Sequence, residues 1–155
     1  MAVKLTSKEP LDEAKVMALA EEMMLNVARL CVDHGARFIG HIKAHVRTDA
    51  GTVKADTIGV AHGAFSSGSI ERPVTDLYMA VNSIVQGIHQ DEVKQATLDG
   101  IHQAALSWKL LMSKEKEHAY FDEFDFTASK EQYRLRLEEQ LATADLDDPF
   151  GENKP

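Results

Sequence analysis

The sequence predicts an α+β fold from two kinds of periodicity. In residues 38–47 the even positions are apolar or small, and the odd positions after Ile39 are His41, Lys43, His45 and Arg47. Strict alternation of that kind marks a half-buried strand. On both sides of it, apolar residues recur at helical spacing. Together these features predict the order α-β-β-α-α-α, an antiparallel β-hairpin packed against helices. A two-stranded hairpin is marginal alone, so a second protomer is the candidate to complete the sheet.

Composition sets the scale. With 155 residues, 44% of them hydrophobic and 27% charged, the chain suits one soluble domain with a sizeable core. The organisation expected is a flexible N-terminal arm over 1–9, a single α+β domain over 10–144 and an acidic, disordered tail over 145–155. A lone cysteine, Cys31, rules out an intrachain disulfide framework. The N-terminal residues lack the apolar run of a signal peptide. No stretch approaches the roughly 18 apolar residues of a bilayer span, so the expected address is cytoplasmic, with no membrane contact.

Helix one follows from Pro10, a good first-turn residue, and from Leu11, Val16, Leu19, Ala20, Met23, Val27, Leu30 and Cys31. Met17, Met24 and Ala28 widen the stripe, and Gly35 suits the left-handed residue that ends a helix. The hairpin comes next, over 37–62. A three-residue loop, Asp49-Ala50-Gly51, pairs Thr48 with Thr52 and places Ile58 and Val60 beside Ile42 and Gly40 on the apolar face. A one-residue slip inverts a whole face, and the loop Ala50-Gly51 would move Ile58 and Val60 to the polar side. In the chosen register the basic residues face Gly59, Thr57, Ala55 and Val53, a strip of mostly small side chains.

The segment 63–69 is glycine- and serine-rich and reads as a link. Pro73 then opens helix two, with Leu77, Ala80, Val81, Ile84, Val85 and Ile88 on its apolar face. Asp91 is the expected N-cap of helix three, which carries Val93, Ala96, Thr97, Ile101, Ala104, Trp108 and Leu111. A short connection makes helices two and three antiparallel neighbours. The run Lys114-Glu115-Lys116-Glu117 reads as a solvated helix end, Phe121, Phe124 and Phe126 as anchors, and 129–144 as a last helix.

The basic strand holds the one concentration of chemistry, and His41, Lys43, His45 and Arg47 are the candidate ligand- or partner-binding residues. Metal binding is not expected. His41 and His45 lie about 13 Å apart along a strand, Cys31 belongs to an apolar stripe, and no paired CxxC or HExxH is present. No cofactor is expected either, because the 63–69 loop matches neither a P-loop nor GxGxxG. Ser66, Ser67 and Ser69 lack a nucleophile-elbow context, so an enzyme is the less favoured reading.

An α-β-β-α-α order resembles that of KH-type and ribosome-binding-factor domains, which grip RNA with a helix and a sheet. Gln86-Gly87-Ile88-His89 stands where their GxxG loop would be. The polar strand face also lacks aromatic residues to stack on bases, and the net charge of −8 opposes nucleic acid. Nucleic acid is therefore not the expected partner. The expectation is a non-enzymatic, self-associating module that binds a protein partner. A small-anion-binding protein or enzyme using the four basic residues is the alternative, and an RNA-binding KH-like module a further one.

Overall fold

The computed structural model describes residues 1–116. The elements run β1 (Ala2–Leu11), α1 (Glu13–Asp33), β2 (Phe38–Thr48), β3 (Gly51–Thr57), a single 3-10 turn (Val60–His62), β4 (Phe65–Ile70), β5 (Val74–Gln86), α2 (Gln90–Ser107) and β6 (Leu111–Lys116). All neighbouring strands are antiparallel in one six-stranded sheet, ordered β4-β3-β2-β5-β1-β6. The fold is α+β, but the order is β-α-β-β-β-β-α-β rather than α-β-β-α-α-α. β1 and β2 are joined through α1 with β5 between them. β5 and β6 are joined through α2 with β1 between them. This is split βαβ connectivity, with the β3–β4 hairpin added beyond β2.

Residues 1–9, expected in a loose arm, contribute most of strand β1 (Ala2–Leu11), with Val3 and Leu5 buried, and Pro10 and Leu11, expected to open helix one, complete it. Their alternation is short and spaced by polar residues, so only the neighbouring strands β5 and β6 give it meaning. Pro10 lies near the end of this strand, where the β1–β5 register shifts between Thr6 and Leu11. That is one of the places a sheet tolerates a residue without an N–H. α1 is the helix the sequence predicts. Asp12 caps it, accepting a hydrogen bond from the Lys15 N–H at 2.9 Å. Gly35 follows the cap residue His34 at φ +96°.

The largest correction is helix two. Residues 74–86 form β5, the strand between β1 and β2. Leu77, Met79 and Val81 alternate into the core, and Tyr78, Ala80 and Asn82 face away. The spacing of Leu77, Val81, Ile84 and Val85 satisfies both periods. Residues rich in β-branching favour the strand once it has a neighbour on each side. The 63–69 link likewise contains β4, and Lys114-Glu115-Lys116 lies in β6 rather than a helix end. With six strands in one chain, the shortage that motivated a second protomer disappears.

The hairpin turn also differs from the expectation. Its loop is Asp49-Ala50, so Thr48 pairs with Gly51, Val46 with Val53, Ala44 with Ala55 and Ile42 with Thr57. Thr48 holds it: its hydroxyl donates to the Gly51 carbonyl at 2.9 Å and accepts from the Ala50 N–H at 3.1 Å. Gly51 is required by the approach of β4. A Cβ there would lie 2.2 Å from the Ser69 carbonyl oxygen, and φ is +145°. The glycine read as a loop residue is thus the first residue of β3, and the face of that strand inverts. Val53, Ala55 and Thr57 are buried, whereas Ile58 and Val60 are exposed.

Both helices cover the same side of the sheet. α1 buries Val16, Leu19, Ala20, Met23, Met24, Val27, Ala28 and Cys31 against it. α2, capped by His89 rather than Asp91, adds Ala96, Gly100, Ile101, Ala104 and Ala105. Its neighbour is α1, not a second α-hairpin partner. Trp108 and Ser107 tie its C-terminal end to Glu22 of α1 by hydrogen bonds of 2.8 and 3.1 Å. The expected helix at 129–144, the phenylalanines at 121, 124 and 126, and the tail at 145–155 lie outside the described residues.

The helix contact is tight at Gly100, where a Cβ would stand 2.6 Å from the Val27 backbone nitrogen. In an exposed helix, Gly→Ala stabilises by about 1 kcal/mol. Here Gly100→Ala is expected to destabilise by roughly 1–3 kcal/mol, because two backbones must part. Ile42→Ala, which opens a core cavity, is expected to cost about 2–5 kcal/mol. Lys43→Ala is expected to move stability by less than about 0.5 kcal/mol. Urea melts of the three variants check all of this.

Candidate binding face

Because both helices lie on one side, the other side of the sheet is lined by the outward positions of the strands. Along β2 the outward set is His41, Lys43, His45 and Arg47, the residues singled out in the sequence. The structure keeps them together in a row. Lys43, His45 and Arg47 are exposed and His41 is half-buried, while Ile42, Ala44 and Val46 beneath them are in the core. Alternate residues on one strand stand about 6.6 Å apart and project in parallel. They form a ridge on a flat surface, without convergence on a pocket.

Their neighbours differ from the strip of small residues that the sequence suggests. Lys43 lies between Asp56 and Asn82, His45 between Lys54 and Ala80, and Arg47 between Thr52 and Tyr78. His41 Nε2 is 3.1 Å from Asp56 Oδ2, so the one carboxylate of this strip is engaged. Lys43, His45, Arg47 and Lys54 make no ion pair among the described residues. His45 and Lys54 face each other directly across the strands. Two groups able to carry like charge at that spacing oppose sheet stability when both are charged.

Exposed aromatic residues surround this cluster. Tyr78 lies on β5 beside Arg47, and Phe65 lies on β4 opposite Asp56. Phe38 reaches the same side because a bulge between Ile39 and His41 resets the alternation of β2. Ile39 is thereby buried and Phe38 exposed, the reverse of simple alternation. Gly40, at the bulge, leaves space that a Cβ would share with Ile84 and Phe38 at 3.2–3.7 Å. The polar face of β2, which by simple alternation lacks aromatic residues, thus gains Phe38 through the bulge, and β4 and β5 add Phe65 and Tyr78 beside it. None of these placements is readable from 38–47 alone.

At one corner of the sheet Lys4, Asp49, Arg72, Thr75, Asp76 and Tyr78 line an open depression of about 450 Å³. Its charges are mutually satisfied: Lys4 Nζ lies 3.2 Å from Asp76, and Arg72 lies 2.6 Å from Asp49. The hydrogen bond and charge of Asp76 hold the Lys4 ammonium above its ordinary pKa. Hydrogen bonds from Lys4 and Thr6 hold the Asp76 carboxyl below the usual carboxylate value. Lys4 also stands 5.4 Å from the Tyr78 ring centroid, a cation–π distance. His41, Lys43 and His45 are not part of this depression.

Among the described residues no three or more His, Cys, Asp or Glu side chains come together as a metal site. No described helix is long and apolar enough to cross a membrane. Of the three serines in the 63–69 segment, Ser66 donates a hydrogen bond to Glu21 of α1 at 2.5 Å on the helix side. Comparisons with family models, curated proteins and solved structures return no match.

Cys31 is buried, and desolvation pushes its thiol up to about 11. In the native protein it is expected to resist a thiol-specific disulfide reagent at pH 8 and to react promptly once urea unfolds the chain. Rapid labelling of the native state would show that the α1–sheet interface is open.

Proposed function

We propose that this chain is a non-enzymatic binding module that holds an anionic partner against the exposed sheet face. Lys43, His45, Arg47 and Lys54 supply the attraction. The observation that carries the reading is the His45–Lys54 cross-strand pair, flanked by Lys43 and Arg47 with no ion pair among the described residues. When both groups are charged, such an arrangement opposes the stability of the free sheet and is relieved by a bound anion. The flatness of the surface favours an extended partner over a small enclosed one, since small-molecule sites are concave and mostly apolar. It also weighs against catalysis, which needs groups converging on a reacting atom.

Calorimetric titration with inorganic polyphosphate at two salt concentrations tests the reading. Binding is expected to weaken steeply as salt rises. The combined Lys43→Ala, Arg47→Ala and Lys54→Ala variant is expected to lose at least about tenfold in affinity, the loss of about 1.4 kcal/mol. Its melting temperature should change little, because the side chains are exposed. Undiminished binding by the variant would place the anion elsewhere and end the proposal.

A further inference from the structure

The aromatic residues narrow the class of anion. Phe38 is 59% exposed, Phe65 68% and Tyr78 42%, the last with Lys4 beside its ring. They do not form one apolar patch. Phe38 pairs with Gln86 at one end of β5, beside exposed Ile84, and Tyr78 lies near the other end, with Asn82 and Ala80 between Ile84 and Tyr78. Phe65 is on the edge strand, level with Lys43 and Asn82. Three strand spacings across and four residues along separate Phe65 from Tyr78, about 20 Å. Lys43, Arg47 and Lys54, which make no ion pair among the described residues, lie in the interval with His45 and Asp56.

A protein interface concentrates its apolar anchors in a central, desolvated cluster. Here the rings are dispersed, and cations occupy the centre. Separate stacking platforms set along a positive track match a single-stranded nucleic acid, whose bases stack on rings while phosphates meet Lys and Arg.

The net charge of −8 is unevenly distributed along the chain. Residues 117–155 carry eleven acidic and four basic side chains, which leaves residues 1–116 with fourteen and thirteen. The part of the chain that forms the sheet is therefore close to neutral. The carboxylates on the face, Asp56 and Asp76, are engaged by His41 and Lys4.

We propose that the exposed face binds single-stranded nucleic acid, with phosphates along Lys43, Arg47 and Lys54 and bases on Phe38, Phe65 and Tyr78. This rests on the anion-binding reading above and names its ligand.

The test is fluorescence anisotropy of the full-length chain with a labelled 12-residue oligouridylate. The competitors are the same oligomer annealed to its complement and a 12-residue poly-aspartate peptide. The single strand is expected to bind more tightly than either competitor. Tyr78→Leu and Phe65→Leu, which keep apolar bulk, are expected to weaken it by roughly 5- to 100-fold each, and Tyr78→Phe should retain binding. Each cation removed should reduce the dependence of log K on log salt by about 0.7.

Circular dichroism melts of the variants separate lost binding from lost folding. Tyr78→Phe serves as the second variant should Tyr78→Leu not fold, and Phe65→Leu reports independently. Peptide binding equal to or tighter than the oligomer, or Leu variants with unchanged affinity, would overturn this proposal while leaving the anion-binding reading in place. Failure of polyphosphate, oligomer and peptide alike would overturn both.

Discussion

Strand β5 is the constraint on which the rest of the structure depends. It pairs with β1 on one side and β2 on the other, and so joins the two βαβ units into one sheet. Leu77, Met79 and Val81 point from it into the core shared with α1 and α2, while Tyr78, Ala80 and Asn82 point away. The two helices follow from that placement. Each crossover must return to the same side of the sheet, and the small residues Ala96, Gly100 and Ala104 of α2 let it approach α1 closely. With both helices on one side, every strand acquires an inward and an outward face. The chemistry of the molecule is then sorted by parity along each strand.

On the outward face, side chains are no longer selected by burial. Val46, Ala44 and Ile42 gain by burial, at about 25 cal/mol per Å² of apolar surface removed from water. Arg47, His45 and Lys43, their immediate neighbours in sequence, contribute little to folding. His45 facing Lys54 is an unfavourable arrangement when both are charged. Exposed Phe38, Phe65 and Tyr78 likewise leave apolar area in water. An arrangement that folding alone does not reward is reason to look for a bound partner. Asp56 and Asp76 bond to His41 and Lys4, and Lys43, Arg47 and Lys54 make no ion pair among the described residues.

Helix one and the identity of the basic strand were legible in the sequence because each has one dominant period and clear ends. The inward set Ile42, Ala44 and Val46 and the outward set His41, Lys43, His45 and Arg47 follow from alternation alone. β5 was not legible. Its apolar residues fit periods of both 2 and 3.6, and only pairing with distant strands decides between them. β1 failed for the same reason at shorter length. The hairpin turn misled because Gly51 looks like a left-handed loop residue, whereas it is needed for the approach of Ser69 on β4. That shift by one residue exchanged Val53, Ala55 and Thr57 for Ile58 in the core. It also hid Lys54 as a member of the basic face. Phe38 was hidden by the bulge at Gly40, a local event that a pattern of alternation does not encode.

Parity along β2, reset at the bulge, divides a buried face from an exposed one. Cys31 is buried, so single cysteines introduced at positions 38–47 report on their own surroundings. Maleimide labelling rates of these variants, measured on the native protein, test the claim most directly. The account requires fast labelling at 38, 43, 45 and 47 and slow labelling at 39, 42, 44 and 46. Uniform rates along the strand, or fast labelling at 39 with slow labelling at 38, would contradict it.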